Sequence, residues 1–213
     1  MNVGQIAATA TCLLVSACAA SQRQPALDPW QAPDVLHAGL PPLPPVTEIL
    51  SPHCDDRRAG RVTAIVLHHT EGASDAAAVA RYFQNPVRKT SAHYIVDRDG
   101  SLIRCVPDPK RAWHAGVSRF QGVSGVNEFS IGIEICNRGD HIEPYPPAQM
   151  STVVRLVAWL ATVYHLPMSR VTRHRDIALP PGRKSDPSDN FDWPGVLVSA
   201  QRLLDRRQDT AGP

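Results

Sequence analysis

The sequence predicts an α/β domain in which helices flank a mixed central β-sheet. Short runs of β-branched and apolar residues alternate along the chain with segments whose apolar residues recur at helical spacing. Interleaved strands and helices are typical of a partly parallel sheet covered by helices. The length of 213 residues and the hydrophobic content of 43% suit one such domain with an appendage.

The first half of the domain is predicted as a strand, a helix and a hairpin. Residues 62–67 form a β-branched apolar run, which is typical of a buried strand. Ser74-Asp75 is a candidate N-cap for a helix over residues 76–83. Residues 92–97 and 101–106 are strand candidates that an Asp-Gly turn joins, so they predict a β-hairpin.

The second half adds a strand, a long helix, a short strand and a terminal helix. Isoleucines alternate with other residues over 131–135, which predicts a half-buried strand with Glu134 on the face opposite the isoleucines. Two prolines open a helix that runs to about residue 164 on an apolar stripe. Residues 171–172 predict a short strand, and residues 194–207 predict an amphipathic helix.

Residues 1–18 resemble a lipoprotein signal peptide. The segment is apolar and uncharged, and it ends in VSAC, which is similar to the lipobox whose cysteine becomes the lipidated N-terminus. The resemblance implies lipidation of Cys18 and a bacterial cell-envelope location, in the periplasm at the outer membrane. An ordinary signal peptide cleaved after Ala17 or Ala20 is the alternative.

The rest of the chain divides into three parts. Eight prolines lie in residues 19–60, which predicts an extended stalk. The folded domain is expected over residues 61–194, followed by a C-terminal helix and tail over residues 195–213.

Three cysteines follow the signal segment: Cys54, Cys105 and Cys136. In an oxidising compartment an odd number of cysteines permits at most one disulfide among them and leaves one free thiol. The sequence does not fix the pairing, and Cys54–Cys105 is the pair that we suggest.

The charge of the chain excludes one class of function. Its formal net charge is only +2, whereas binding to a phosphate backbone requires a concentrated basic surface. We therefore expect no nucleic-acid partner. No apolar run reaches the length of a membrane-spanning helix, so we expect the chain to contact a membrane only through the lipid anchor. We also expect the protein to be a monomer.

Histidines at the ends of predicted strands are the candidates for chemistry. His68 and His69 close the first strand, His174 follows the last, and a carboxylate lies downstream in residues 182–187. Two imidazoles and one carboxylate would leave the fourth position of a catalytic zinc ion open. From the spacing alone, ordinary structural histidines remain the alternative.

Six short segments give the chain a family resemblance. Residues 61–194 resemble the type-2 N-acetylmuramoyl-L-alanine amidases, and the lipobox makes the outer-membrane lipoprotein members the narrower likeness. The segments, in the family's order, are 65–70 (IVLHHT), 91–94 (SAHY), 112–116 (AWHAG), 130–134 (SIGIE), 171–177 (VTRHRDI) and 183–187 (RKSDP). The resemblance implies the fold shared with peptidoglycan recognition proteins. It also implies one Zn²⁺ ion, and hydrolysis of the amide between the lactyl group of N-acetylmuramic acid and L-alanine of the stem peptide.

The resemblance also assigns the metal ligands. The family's zinc ligands fall on His68, His174 and Asp186, whereas His69 occupies a variable position. The loop before Asp186 is longer than in close relatives, and a serine replaces the glycine that usually follows Asp-Pro. Two further aspartates, Asp189 and Asp192, are therefore rivals for the third ligand.

The family's catalytic glutamate falls on Glu134 and its catalytic lysine on Lys184. By this resemblance Glu134 would move the proton of the attacking water to the leaving amine, and Lys184 would stabilise the oxyanion. His114 would line the substrate cleft, and His93 is expected to be structural or to support a metal ligand without binding the metal itself. Peptidoglycan or muropeptides would be the partners, and the arginines that could anchor stem carboxylates are Arg111, Arg119, Arg138 and Arg173.

Two other functions fit the same fold. A recognition module would bind muropeptides without cutting them, but such modules typically lack part of the zinc set that this chain retains. A zinc hydrolase with another amide substrate is the second alternative, which product analysis would separate from the first.

Overall fold

The computed structural model describes residues 28, 30, 39–58 and 60–211. The strands are β1 (Val46–Glu48), β2 (Cys54–Asp56), β3 (Ala64–His69), β4 (Tyr94–Val96), β5 (Leu102–Arg104), β6 (Lys110–Ala112), β7 (Arg119–Phe120), β8 (Val123–Ser124), β9 (Ser130–Ile135) and β10 (Val171–Arg173). The helices are α1 (Ala76–Gln84), α2 (Pro147–Val163), α3 (His174–Ile177) and α4 (Trp193–Ala211). The predicted signal peptide with Cys18 lies outside the described residues.

Six strands form the central sheet in the order β1-β5-β4-β9-β3-β10. The β4–β5 pair is antiparallel, as the predicted hairpin requires, and every other pair of neighbours in this sheet is parallel. The mixed α/β fold is therefore confirmed. Two small antiparallel ladders, β2–β6 and β7–β8, lie outside the central sheet.

One face of the sheet packs against α2. Alternate residues of the central strands, such as Leu67 and Ile133, are fully buried there with Leu156 and Leu160 of α2. Burial of each such side chain stabilises the fold by about 1.5–3 kcal/mol. α2 begins at Pro147, where the missing amide proton costs no helical hydrogen bond, and α4 packs on its outer side. Within the described part of the chain, no helix is both long and apolar enough to span a bilayer.

The opposite face carries α1. Of the predicted cap pair Ser74-Asp75, Asp75 caps this helix, because its carboxylate accepts a hydrogen bond from the backbone N–H of Ala78 at 2.7 Å. Ala80 and Phe83 of α1 pack on Ile95 of the sheet. This smaller apolar cluster leaves the ends of the neighbouring strands on the same face uncovered by the helix, and the polar residues of the sheet lie there.

The folded domain begins earlier than the predicted boundary at residue 61. β1 pairs in parallel with β5 and β2 pairs with β6, so the second half of the predicted stalk 19–60 forms part of the domain. Trp30 also contacts the domain, because its indole N–H donates to the hydroxyl of Tyr94 at 2.6 Å. The backbone partners that β5 and β6 offer determine these pairings, and a proline count does not reveal them.

The suggested disulfide between Cys54 and Cys105 is wrong for this structure. Cys54, Cys105 and Cys136 are free thiols. Cys54 lies in β2 and donates to the carbonyl of Ser51, whereas Cys105 and Cys136 are buried in the cluster beneath α1. Burial raises the pKa of the Cys105 thiol to about 12, so this side chain behaves as a packed apolar group.

Candidate metal centre and active site

Three adjacent parallel strands bring the polar residues of the site to one edge of the sheet. His68 of β3 and Glu134 of β9 are direct partners in the strand register. β10 runs in parallel beside β3, and His174 follows its last residue directly. Because carboxyl ends of parallel strands meet at one edge, the topology brings these three residues together.

Two histidines and one aspartate form a compact cluster. The Nδ1 atoms of His68 and His174 lie 3.1 Å and 3.0 Å from the same oxygen, Oδ2 of Asp186. The candidate ligand atoms of the three residues all lie within 4.8 Å of one another, and all three residues are buried. The loop that carries Asp186 is held against α3, because the Arg175 N–H donates to the Asp186 backbone carbonyl at 2.9 Å.

The electrostatics of this cluster favour a cation. Burial lowers the pKa of His68 to about 4, which outweighs the opposite effect of Asp186. Burial by itself raises the pKa of Asp186, so an ionised carboxylate at this place calls for a positive charge beside it. The second oxygen of Asp186, Oδ1, is buried and has no hydrogen-bond partner among the described residues.

Glu134 lies beside the cluster and is also poorly satisfied. Its Oε2 atom is buried without a hydrogen-bond partner in the described part of the chain. Burial, reinforced by the charge of Asp186, raises the pKa of Glu134 well above its ordinary value. A buried carboxyl group with a raised pKa in a cleft is a candidate proton carrier.

The cluster lies at the wall of an open cleft of about 640 Å³, which also contains Glu134 and Lys184. This volume is in the usual range of small-molecule sites. The ammonium of Lys184 is 3.9 Å from a carboxylate oxygen of Glu71 at the rim. The cleft thus combines a candidate metal site, a buried carboxyl group and a cation.

The remaining histidines of the motifs do not join the cluster. His69 alternates with His68 in β3, so its ring lies on the other side of the strand, where its Nδ1 accepts a hydrogen bond from the Ser188 N–H at 3.2 Å. His93 is fully buried and its Nδ1 accepts from the Gly132 N–H at 2.9 Å, which fits the structural role expected of it. His114 lines the cleft but is only 8% exposed, and its ring contacts His68.

The two rival aspartates have other partners. Asp189 forms an ion pair with Arg175. Asp192 accepts a hydrogen bond from the Gly195 N–H at 3.0 Å in the first turn of α4. Of the three candidate aspartates, Asp186 is therefore the one that meets both histidines.

The four candidate anchoring arginines do not line the cleft. Arg111 pairs with Asp55 and Glu128, and Arg173 pairs with Asp176 at 2.7 Å. The other two, Arg119 and Arg138, also lie away from the cleft lining.

Sequence reasoning missed a different cation. Lys89 is exposed and lines the cleft on the side of α1. Arg183 also lines it, but its guanidinium donates to the backbone carbonyls of Leu179, Val117 and Ala115. Lys89 lies in the loop after α1 and belongs to none of the six motif segments, so the motifs do not identify it as a residue of the cleft.

Sequence comparisons with known proteins identify the family of the chain. The family model for N-acetylmuramoyl-L-alanine amidase matches residues 58–189. The 1,6-anhydro-N-acetylmuramyl-L-alanine amidase AmpD of Escherichia coli is 43% identical over 115 residues, which cover 53% of this chain and 61% of AmpD. The N-acetylmuramoyl-L-alanine amidase AmiD of the same organism is 31% identical over 164 residues, 67% of this chain and 57% of AmiD.

A comparison with a solved structure also matches the chain to an amidase. The complex of Escherichia coli AmiD with the substrate anhydro-N-acetylmuramic acid-L-Ala-D-gamma-Glu-L-Lys superposes with a TM-score of 0.55 and 31% identity. The match covers 68% of this chain and 57% of the AmiD chain. The chain therefore spans between about half and two thirds of the length of these relatives.

Proposed function

The chain belongs to the N-acetylmuramoyl-L-alanine amidase family, and on that premise we propose that it is a zinc-dependent amidase of peptidoglycan. The bond cleaved joins the lactyl group of N-acetylmuramic acid to L-alanine of the stem peptide. The observation that carries the proposal is the convergence of His68, His174 and Asp186 beside Glu134 in one cleft.

The residues of the cluster suit one Zn²⁺ ion. Two imidazole nitrogens and one carboxylate oxygen form the donor set of a catalytic zinc site with an open fourth position. The Nε2–H of His174 donates to the Ala115 carbonyl at 3.2 Å, which directs the Nδ1 lone pair of the same ring at Asp186. Zinc in such a site acts as a Lewis acid that polarises a carbonyl group and activates water at neutral pH.

Glu134 is the proposed proton carrier. The attacking water transfers a proton to the Glu134 carboxylate while the oxygen bonds to the amide carbon. Glu134 then gives this proton to the nitrogen of L-alanine as the carbon–nitrogen bond breaks. The products are a lactyl carboxylate and a stem peptide with a free amino terminus. Burial beside Asp186 raises the pKa of Glu134, which supports this role because a more basic carboxylate accepts the proton of water more readily.

Lys184 is the proposed electrostatic stabiliser. Its position two residues before Asp186 and in the lining of the cleft supports this role. Negative charge grows on the amide oxygen during attack, and a preorganised cation favours that state over the ground state.

The proposed substrate class is peptidoglycan or soluble muropeptides. AmiD is known in complex with an anhydro-N-acetylmuramic acid peptide, and that likeness supports a muropeptide substrate for this chain. The stem peptide carries carboxylates, for which Lys89 offers an exposed ammonium in the cleft. We assign the anchoring role to Lys89 instead of the four arginines considered from the sequence.

The proposed location is the cell envelope. The lipobox at Cys18 supports a lipid anchor, and the part of the predicted stalk that precedes the domain would be the tether between them. Mass spectrometry of the N-terminal peptide from cells tests this assignment. A diacylglyceryl-modified Cys18 is expected, and an unmodified peptide beginning after Ala17 or Ala20 would contradict it.

Product analysis tests the activity. The purified protein is incubated with sacculi and with muropeptides, first with a chelator and then with zinc restored. The proposal predicts free stem peptides that begin with L-alanine, lost with the chelator and recovered with zinc. A folded, zinc-loaded protein that binds muropeptides and releases no such peptide would instead be a recognition module.

A further inference from the structure

His114 has no free ring nitrogen for a substrate. Its Nδ1 atom lies 3.0 Å from Nε2 of His68, and its Nε2 atom lies 3.2 Å from the hydroxyl oxygen of Ser130. The ring is only 8% exposed although it lines the cleft. Both polar atoms of the imidazole therefore bond within the protein, and one of them bonds to a candidate metal ligand.

The hydroxyl of Ser130 sets the direction of these bonds. It donates its one proton to the backbone carbonyl of Val126 at 2.7 Å, so its oxygen can only accept from His114. The proton of the buried, neutral His114 ring therefore lies on Nε2, and its Nδ1 is an acceptor. His68 must then carry its proton on Nε2, where it donates to His114.

This chain of bonds leaves the Nδ1 lone pair of His68 without a proton. The lone pair faces Asp186, as does Nδ1 of His174, whose own Nε2–H is held by the Ala115 carbonyl. The adjacent residues 114 and 115 therefore orient both histidines of the cluster. The resulting arrangement directs three acceptor atoms at one point, which is what a bound cation requires.

Contacts with Gly132 and Asn127 fix the position of the His114 ring and of its backbone. A Cβ atom on Gly132 would lie 2.5 Å from Cγ of His114, so the glycine in β9 provides the space in which the ring rests. The side-chain oxygen of Asn127 accepts from the backbone N–H groups of His114 at 3.2 Å and Ala115 at 2.8 Å. The ring and the Ala115 carbonyl thus keep one geometry relative to the cluster.

We propose that His114 and Ser130 are positioning residues that fix the metal-binding tautomer of His68. The inference rests on the proposed zinc function and gives His114 a role different from the substrate contact that the motif suggests. Outer contacts of this kind are generally worth 10–100-fold in metal affinity. Their loss should therefore weaken zinc binding without changing the affinity for muropeptide at saturating zinc.

The test measures zinc affinity by competition with a chromophoric chelator in the full chain, separately from activity. His114→Ala should raise the zinc Kd by about 10–100-fold. His114→Asn should recover most of the loss, because its amide oxygen can take the place of Nδ1 as the acceptor for His68. Ser130→Ala should raise the Kd by a smaller factor, because His114 can then adopt either tautomer.

A matched control removes another buried hydroxyl. Thr162 of α2 donates to the Ala158 carbonyl at 3.0 Å, on the far face of the sheet. Thr162→Val should leave the zinc Kd unchanged. KM for a muropeptide, measured at saturating zinc, should stay at the wild-type value in His114→Asn.

Different results would overturn the role proposed for His114 and the zinc function on which it rests. An unchanged zinc Kd in His114→Ala, together with a raised KM, would overturn the inference and restore the substrate-contact role. Equal losses in His114→Ala and His114→Asn would also overturn it, because the acceptor would then not matter. Failure of the wild-type chain to bind zinc would instead overturn the proposed function itself.

Discussion

Asp108 and Asp186 are both buried, but their surroundings differ. Asp108 is completely buried and both of its oxygens are satisfied, by the hydroxyls of Tyr94 at 2.5 Å and Tyr164 at 2.9 Å. The indole of Trp30 extends this network by donating to Tyr94. Asp186 has one oxygen shared by two imidazoles and another without a partner in the described residues.

The hydrogen bonding of the two aspartates indicates a structural role for Asp108 and a functional role for Asp186. A buried polar group that lacks a hydrogen bond costs about 1–3 kcal/mol, so such groups persist where a ligand or a reaction uses them. The Asp108 network is closed and has no such cost, which suits a structural role. Four buried side-chain atoms lack a partner among the described residues; those of Asp186 and Glu134 line one cleft, whereas those of Arg104 and Gln149 lie outside it. The paired carboxylates of the cleft and the Asp108 network should therefore respond differently to mutation.

The largest expected effect is on Glu134. Glu134→Ala should lower kcat by about 10³-fold or more, because general acid–base transfer contributes up to about 10⁴-fold. The zinc content should stay at the wild-type level, since Glu134 is not one of the clustered ligands. Turnover of a muropeptide and metal analysis on the same sample check both points. A wild-type rate would remove Glu134 from the mechanism.

The second-largest expected effect on kcat is that of replacing Lys184. Lys184→Ala should lower kcat by about 10²-fold, in the range found when one donor to an oxyanion is lost. Lys184→Arg keeps the charge and should recover part of the rate. If the alanine and arginine variants are equally active, the charge at this position has no part in the reaction.

The Asp108 network should affect stability and leave catalysis intact. Burial raises the pKa of Asp108 to about 6 from a value of 3.8, despite hydrogen bonds from two tyrosines that lower it. The folded chain therefore holds a proton between about pH 4 and 6 that the unfolded chain has lost. The free energy of unfolding should fall by up to about 3 kcal/mol as the pH rises through this window.

Denaturant unfolding of the wild type and Asp108→Asn at several pH values measures this effect. The variant should lack that part of the decline and retain zinc and kcat. The same pH dependence in both proteins would contradict the closed-network account, and a loss of zinc in the variant would show that the two regions are coupled.

The smallest expected effect is on Lys89. Lys89→Ala should raise KM for a muropeptide with free carboxylates by about 2–5-fold, because one exposed ion pair is worth about 1 kcal/mol or less. The matched control is Lys110→Ala, since Lys110 is an exposed lysine that pairs with Asp56 outside the cleft. Equal KM values in Lys89→Ala and the wild type would leave the stem carboxylates without this anchor.

Local patterns predicted most of the secondary structure. The strand before His68, the capped helix α1, the hairpin and α2 all depend on residues close in sequence, and each was found within a few residues of its expected place. The family motifs identified His68, His174 and Asp186 together as the candidate metal ligands. Residues more than a hundred positions apart meet because the ends of parallel strands lie at the same edge of the sheet.

Features that depend on distant partners could not be predicted. β1 has only three residues and owes its place to the backbone of β5, and Trp30 packs on residues far along the chain. The role of Lys89 depends on where α1 ends relative to the cleft. The three free cysteines show the same limit, because their separation in space is a property of the fold.

Zinc stoichiometry is the most direct test of the distinction between the two regions. The wild type, His174→Ala and Asp108→Asn are stripped with chelator, returned to zinc, dialysed and analysed for metal. We expect one tightly held zinc ion per chain in the wild type and in Asp108→Asn, and none in His174→Ala. Full occupancy in His174→Ala, or no zinc in the wild type, would contradict the assignment of this cluster as a zinc site.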